Sequence, residues 1–434
     1  MPDSIRPDSI RQVTVRQCAI LVGGLGTRLG GLTAATPKPL LPIGDRPFLA
    51  WLMREFVRFG VEEFVLLTGY LSEQVEAQVQ ALAALLPREA RIVVSPEPER
   101  AGTGGAVFHA RDRLAERFLL CNGDSLFDCN IARLLSDAAA DGPEVAGRIV
   151  LRRIEDASRY GVVELDGDRI GAFRARPLPA VADVELADLP AASTPTGGVI
   201  NAGIYVFDRR LLVELTAKCS LERDIMPRLA RRGALRGTVM EGYFRDIGVP
   251  DDLARADAEM PCVLRRRALF LDRDGVINVD HGYVASREKF EWVPGAREAI
   301  RSATDAGWHV FVVTNQAGIA RGLYSEADMH ELHAWMIDEI RRSGGTVDDL
   351  RFCPFHPDAV VAAYRDAAHP WRKPAPGMLL DLIRAWQIDP AQAVLVGDMD
   401  TDLEAAAAAG VRAEKFTADN LLGVVLPLLR QSPA

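Results

Sequence analysis

No stretch of this 434-residue chain is apolar for long enough to cross a membrane. The nearest, residues 421–429, falls well short of the roughly 20 residues a spanning helix needs. The first 17 residues carry Arg and Asp throughout and hold no apolar core of the kind a signal peptide requires. Cysteine is scarce: Cys18, Cys121, Cys129, Cys219, Cys262 and Cys353 are scattered without a framework spacing, which reads as reduced thiols in a cytoplasm. Nor is positive charge in excess. With 51 Lys and Arg against 60 Asp and Glu, the formal charge of -9 excludes a general binder of nucleic acid or acidic membrane, and any anionic substrate must be met by locally gathered cations. Two familiar phosphate fingerprints are also missing. No Gly-Lys-Ser/Thr follows the first glycine turn, so it is not a P-loop, and Leu29 stands where a dinucleotide motif needs its third glycine.

The chain is longer than one hydrophobic core usually organises, so more than one domain is expected. Residues 2–11 repeat Pro-Asp-Ser-Ile-Arg twice, a polar duplication that reads as a flexible tail over residues 1–17. From residue 18 short apolar strands alternate with helical periodicity, the pattern of a mostly parallel sheet covered by helices. The pattern becomes β-rich after residue 147, and residues 177–198, rich in Ala, Pro and Thr, suggest a long surface loop. Near residues 261–267 a proline and three arginines separate this unit from a second α/β alternation over residues 268–434. The expected fold class is therefore α/β, as two doubly wound domains over residues 18–260 and 268–434 joined by a linker at 261–267.

In the first unit, Gly23-Gly24-Leu25-Gly26-Thr27-Arg28 follows the opening strand, where glycines let backbone N–H groups approach phosphate oxygens and a helix start would add positive dipole. Taken with Pro37-Lys38-Pro39-Leu40, Gly102-Thr103-Gly104-Gly105, Asn122-Gly123-Asp124, Asn201-Ala202-Gly203 and Asp246-Ile247-Gly248, it resembles the sugar-1-phosphate nucleotidyltransferases. The resemblance implies attack by a sugar-1-phosphate oxygen on the α-phosphorus of a nucleoside triphosphate, with Gly24, Gly26, Thr27, Arg28 and Gly104 against the nucleotide and Asn201 near the sugar. The chemistry independently wants Arg28 and Lys38 as catalytic cations against the triphosphate charge. It also wants converging carboxylates, Asp124 and Asp246, as a seat for Mg²⁺.

The second unit opens with Asp272 and Asp274, one residue apart at the end of an apolar strand. One carboxylate there can attack phosphorus while the other handles protons. With Thr314, Asn315, Lys373 and Asp398 at later strand ends, the set resembles the haloacid-dehalogenase-like phosphatases over residues 268–415. By that resemblance Asp272 is the nucleophile and Asp274 the acid and base. Asp272, the Asp274 backbone carbonyl and Asp398 hold Mg²⁺, while Thr314 and Lys373 hold the transferring phosphoryl group.

The strings Asp272-Arg-Asp-Gly-Val-Ile-Asn-Val-Asp-His-Gly-Tyr283, Thr314-Asn315-Gln316, Ala320-Arg321-Gly322 and Arg372-Lys373-Pro374 are further similar to D-glycero-D-manno-heptose-1,7-bisphosphate 7-phosphatases. On this likeness Asp280, His281, Gly282 and Tyr283 line the rim, Asn315 and Gln316 join the substrate contacts, and Arg372 takes the second phosphate. The chain between Asp272 and Thr314 is too short for a large cap, so an open site is expected. These phosphatases often carry a four-ligand zinc loop, whose matching positions here are Cys353, Phe355, His369 and Trp371. Two of the four cannot ligate, so structural zinc is not expected, and Phe355 and Trp371 should pack instead. Met399 and Ala317 stand where the family commonly has lysine and serine.

Together these readings describe a bifunctional cytoplasmic enzyme of nucleotide-activated heptose synthesis, with GTP and a phosphorylated heptose as substrates and Mg²⁺ in both units. Nucleic acid and membrane are not expected partners, and a homo-oligomer is compatible with the sequence. The competing readings are a nucleotidyltransferase for another hexose 1-phosphate such as mannose 1-phosphate fused to a histidinol-phosphate-type or other small-molecule phosphatase, or a non-catalytic first unit that senses sugar nucleotides and is attached to a phosphatase.

Overall fold

Five-residue runs such as Gln-Cys-Ala-Ile-Leu bury both faces, as central parallel strands must. The computed structural model describes residues 15–24, 26–155, 161–174 and 197–431. Most of the expected tail, and nearly all of the loop expected at residues 177–198, lie outside the described residues.

The first sheet uses β1 (Gln17–Leu21), β2 (Glu63–Thr68), β3 (Arg91–Pro96), β4 (Arg117–Asn122), β5 (Gly147–Ile154), β6 (Val162–Asp166), β7 (Arg169–Arg174), β8 (Gly198–Asp208) and β9 (Leu235–Met240). Their order is β3-β2-β1-β4-β8-β5-β9-β7-β6. The β3-β2-β1-β4 half is parallel, whereas β8 runs antiparallel to both β4 and β5. The second sheet, β10 (Ala268–Leu271), β11 (His309–Asn315), β12 (Asp349–Cys353), β13 (Ala393–Gly397) and β14 (Arg412–Lys415), is parallel throughout in the order β12-β11-β10-β13-β14. Both units are α/β, as expected. In each, the first strand lies inside the sheet, so the crossovers wind to either side and leave a crevice at the strand ends.

Side-chain alternation feeds different cores from one strand. Cys18 and Ile20 face one buried cluster while Ala19 faces another. Ala268 and Phe270 of β10 join the same cluster as Cys18 and Ile20, so one apolar core runs through both units.

The stretch expected to be a linker is not a loose connection. The helix Pro250–Val263 carries Pro261 inside it, and Arg266 is 6% exposed, paired to Glu55 at 2.6 Å and Asp128 at 2.8 Å. Of the three arginines that separate the two units in the sequence, Arg266 is an internal cross-link. The residues after the first glycine turn also differ from expectation: Thr27–Thr33 is a 3-10 turn interrupted at Gly30, so no regular helix dipole points into that loop.

Candidate active sites

In the first unit the strand ends of β1 and β4 open on a cavity of about 370 Å³ lined by Gly23, Gly24, Lys38, Asn122 and Asp124, with Glu97, Arg100, Thr103 and Glu222 across it. Lys38 is 5% exposed and places its Nζ 2.6 Å from Asp124 Oδ2. The short strand Phe244–Asp246 pairs antiparallel with Ser125–Phe127, which sets Asp246 opposite Ser125. Ser125 Oγ then lies 3.3 Å from a carboxylate oxygen of Asp124 and 3.3 Å from one of Asp246. The two carboxylates thus converge on one hydroxyl, which can donate to only one of them at a time. Burial raises the Asp246 pKa, and the charge of Asp124 adds to the rise. A hard cation between them would relieve that repulsion, so the donor set fits Mg²⁺.

Gly26 holds φ 61°, and a Cβ there would meet Thr33 Cγ2 at 2.7 Å, so the turn needs glycine. Thr27 and Arg28 are exposed beside the cavity, and Arg28 Nη2 would lie 3.2 Å from a Cβ on Gly248, next to Asp246. Two expected residues take other roles. Gly104 N–H donates to Cys219 O at 3.0 Å, and a Cβ would strike Cys219 Sγ at 2.6 Å. Its lack of a side chain serves close packing, and its N–H is not offered to a nucleotide. Asn201 donates to Tyr205 OH at 2.9 Å and accepts from Gly203 N at 2.9 Å, so its amide is engaged within its own strand. Glu97, in the loop after β3, and Glu222, in the helical turn Leu221–Ile225, escaped the sequence reading because nothing local announces which carboxylate faces inward.

In the second unit Asp272 follows β10 and is 8% exposed. Lys373 Nζ bridges it at 2.9 Å to Asp402 at 2.5 Å and donates to Val313 O at 3.0 Å. Burial pushes the Asp272 carboxyl up to about 7; Lys373 opposes this, while Asp402 and Asp274 add to it. Burial would lower Lys373, but the two flanking carboxylates raise it overall. Asn315 brackets Lys373 by donating to its carbonyl and accepting from its N–H, both at 3.1 Å, so it positions the lysine.

Asp272, Asp398 and Asp402 each bring an oxygen within 4.8 Å of the others, and among the described residues this is the sole such group of three metal-capable side chains. Asp398 Oδ1 is buried with no hydrogen-bond partner, and its pKa is raised by burial and then by Asp402. An orphaned carboxylate oxygen amid two more carboxylates fits a divalent cation with oxygen ligands. Asp402 was missed in the sequence, although Gly397-Asp398-x-x-x-Asp402 puts both acids on one face where a strand passes into the helix Asp400–Ala408.

The Asp274 carboxylate is held away from that group. It takes the Arg273 guanidinium at 2.7 Å, Asn278 Nδ2 at 3.0 Å and Gln316 Nε2 at 2.8 Å, which leaves only its backbone carbonyl for a metal. Gln316 also donates to Thr314 Oγ1 at 2.9 Å and accepts from Tyr324 OH at 2.8 Å. Asp280, His281, Gly282 and Tyr283 are exposed on the rim, with Arg321 over the Tyr283 ring at 5.6 Å. Arg372 donates to Phe355 O at 3.1 Å. At the positions of the zinc loop, Phe355 stacks on His369 with centroids 3.9 Å apart, and Phe355 and Trp371 pack against the core.

Residues 18–261 match the family model described as nucleotidyl transferase, more than half the chain. The chain belongs to the nucleotidyl transferase family. Residues 370–413 of this nucleotidyl transferase also match a model described as HAD-hydrolase-like. The second unit is 48% identical over 157 residues to D-glycero-beta-D-manno-heptose-1,7-bisphosphate 7-phosphatase of Rhodopseudomonas palustris, covering 36% of this chain and 87% of the relative. It is 44% identical over 148 residues to D-glycero-alpha-D-manno-heptose-1,7-bisphosphate 7-phosphatase of Burkholderia mallei, covering 34% and 78%. A solved structure of HddC from Yersinia pseudotuberculosis with GMP-PN is 26% identical, covers 57% of this chain and 100% of that one, and superposes with a TM-score of 0.47. The nucleotidyl transferase is thus fused to a phosphatase unit related to the heptose-bisphosphate phosphatases.

Proposed function

We propose that the unit over residues 268–434 removes the 7-phosphate from a D-glycero-D-manno-heptose 1,7-bisphosphate, and that the unit over residues 18–260 joins the resulting heptose 1-phosphate to GMP from GTP. The observation that carries the reading is that each unit pairs a buried lysine with a carboxylate of a metal-capable group, Lys38 with Asp124 and Lys373 with Asp272. An anion meets an anion in both reactions, and only such cations make the approach affordable.

In the phosphatase, an Asp272 oxygen attacks the C7 phosphorus and the bond to the sugar oxygen breaks as Asp274 gives that oxygen a proton. Water, deprotonated by Asp274, then attacks the aspartyl phosphate, freeing phosphate and restoring Asp272. Gln316 and Arg273 keep Asp274 aimed, and Lys373 holds charge beside the nucleophile. Asp272, Asp398 and Asp402, with the Asp274 carbonyl, would hold Mg²⁺, which supplies neutralisation of the phosphoryl charge. In the transferase a heptose 1-phosphate oxygen displaces pyrophosphate from the α-phosphorus, with Arg28 and Lys38 neutralising the triphosphate and Asp124 and Asp246 as the Mg²⁺ seat.

The sequence resemblance supports GTP, and so does Glu97. Glu97 lines the cavity and can accept hydrogen bonds from a base. Guanine offers two donors on one edge, N1–H and N2–H₂, to such an acceptor. Incubating the enzyme with heptose 1,7-bisphosphate and each nucleoside triphosphate in turn tests the reading. It expects phosphate in every reaction and pyrophosphate chiefly with GTP; pyrophosphate without any need for prior dephosphorylation would overturn the order of steps.

A further inference from the structure

The seam between the two units encloses a cavity of about 440 Å³ that neither reaction uses. Its size is that of a small-molecule site. The walls come from the helix Phe48–Arg58, the segment around Arg266, the start of β11 and residues 386–388. Five arginines line it against two carboxylates, Asp45 and Glu55, in a chain whose overall charge is -9.

Most of those charges are already matched. Arg46 is bidentate on Asp45 at 2.8 Å, Arg58 meets Asp348 at 2.7 Å, and Arg266 meets Glu55 and Asp128. Two are not. Arg54 donates only to the carbonyls of Leu85 at 3.1 Å and Trp386 at 3.3 Å, and the side chain of Arg265 has no partner among the described residues. The Arg266 Nε is also buried without a hydrogen-bond partner. Burial, with Arg46 beside it, brings the Arg54 guanidinium down to about 10, although Glu55 and Asp45 lie near enough to oppose the fall. Guanidinium forks match phosphoryl oxygens in geometry as well as charge.

We propose that this seam is a binding site for a small phosphorylated anion, held by Arg54 and Arg265 of the cavity wall. The ligand chemistry is a phosphoryl dianion or pyrophosphate. Both proposed reactions release such anions, and the cavity wall comes from both units, with Trp51 and Arg54 of the first and His309 and Trp386 of the second, so a ligand filling it couples their stability. The site does not depend on which sugar or base the enzyme uses.

The test is calorimetric titration of the full chain with pyrophosphate, inorganic phosphate and a hexose 6-phosphate in separate arms, with divalent cations chelated. The wild type is expected to bind one more equivalent of at least one of these anions than the R54A/R265A variant, and to gain thermal stability with that anion where the variant gains none. Arg265 is exposed, so R265E alone preserves the fold and is expected to weaken that binding at least tenfold while both turnover rates stay within twofold of wild type. The proposal is overturned by equal stoichiometry in wild type and R54A/R265A, by unchanged affinity in R265E, or by no saturable binding of any of the three anions.

Discussion

Asp402 is fully buried, pairs with Lys373 at 2.5 Å, and completes the only three-carboxylate group among the described residues, and its spacing from Asp398 was the one signal of it in the sequence. Its effect should be local. Asp402→Asn is expected to raise the Mg²⁺ concentration needed for half-maximal phosphate release roughly 10- to 100-fold, with pyrophosphate release unchanged; a magnesium titration followed by both products checks this. A second residue-scale consequence concerns acid. His309 Nδ1 donates to Asp348 Oδ1 at 2.7 Å, and burial holds the imidazole down to about 4. Burial alone would raise Asp348, but Arg58 and His309 outweigh it and hold it well below the usual carboxylate range. Since the unfolded chain binds a proton at His309 near pH 6.5 and the folded chain does not, stability falls as pH drops from about 6.5 to 4. Asp348 contributes stability that is present above the unfolded carboxylate pKa and lost as pH falls below it. Thermal melts from pH 7.5 to 4 should therefore show a declining Tm, and His309→Gln should flatten the upper part of that decline.

Among elements, legibility followed periodicity. The helices Phe48–Arg58 and Glu326–Arg342 and the strands β1, β10, β11 and β13 were readable because each is long or apolar enough to impose its period. The strand β14 has no buried residue and so a weak pattern, whereas the helix Ile131–Ala139 was missed although Ile131, Ala132, Leu134 and Ala138 give it a clear apolar face. Glycine positions were legible as turns but not as roles: Gly26 is required by its positive φ, Gly104 by contact with Cys219. An unforeseen contact between the units is made by the helix Phe48–Arg58, whose last residue reaches into the second unit. Arg58 is 2% exposed and donates to Asp348 at 2.7 Å and to Trp308 O at 3.0 Å. Arg58→Ala leaves the buried Asp348 charge without its guanidinium and is expected to destabilise the chain by about 3–5 kcal/mol, read by denaturant titration. Because the pair joins the units, both activities should be lost at lower denaturant together.

For the molecule as a whole, the sequence showed two α/β units and most of the residues at their strand ends, because catalytic carboxylates and glycine turns sit in contiguous motifs. It did not show that one apolar core contains residues from both sheets, or that Arg266 is an internal cross-link, since contacts between distant segments leave no local period. The shared core makes the arrangement of the two crevices fixed, while the chemistry of each remains its own. That independence is the central claim, and paired substitution tests it most directly. With heptose 1,7-bisphosphate and GTP supplied, phosphate and pyrophosphate are measured separately for Asp124→Ala and, with heptose 1-phosphate added, for Asp272→Asn. The account predicts that Asp272→Asn lowers phosphate release at least about a thousandfold and leaves pyrophosphate release from added heptose 1-phosphate intact, while Asp124→Ala does the reverse. Loss of both products from either substitution, in protein that remains folded, would contradict it.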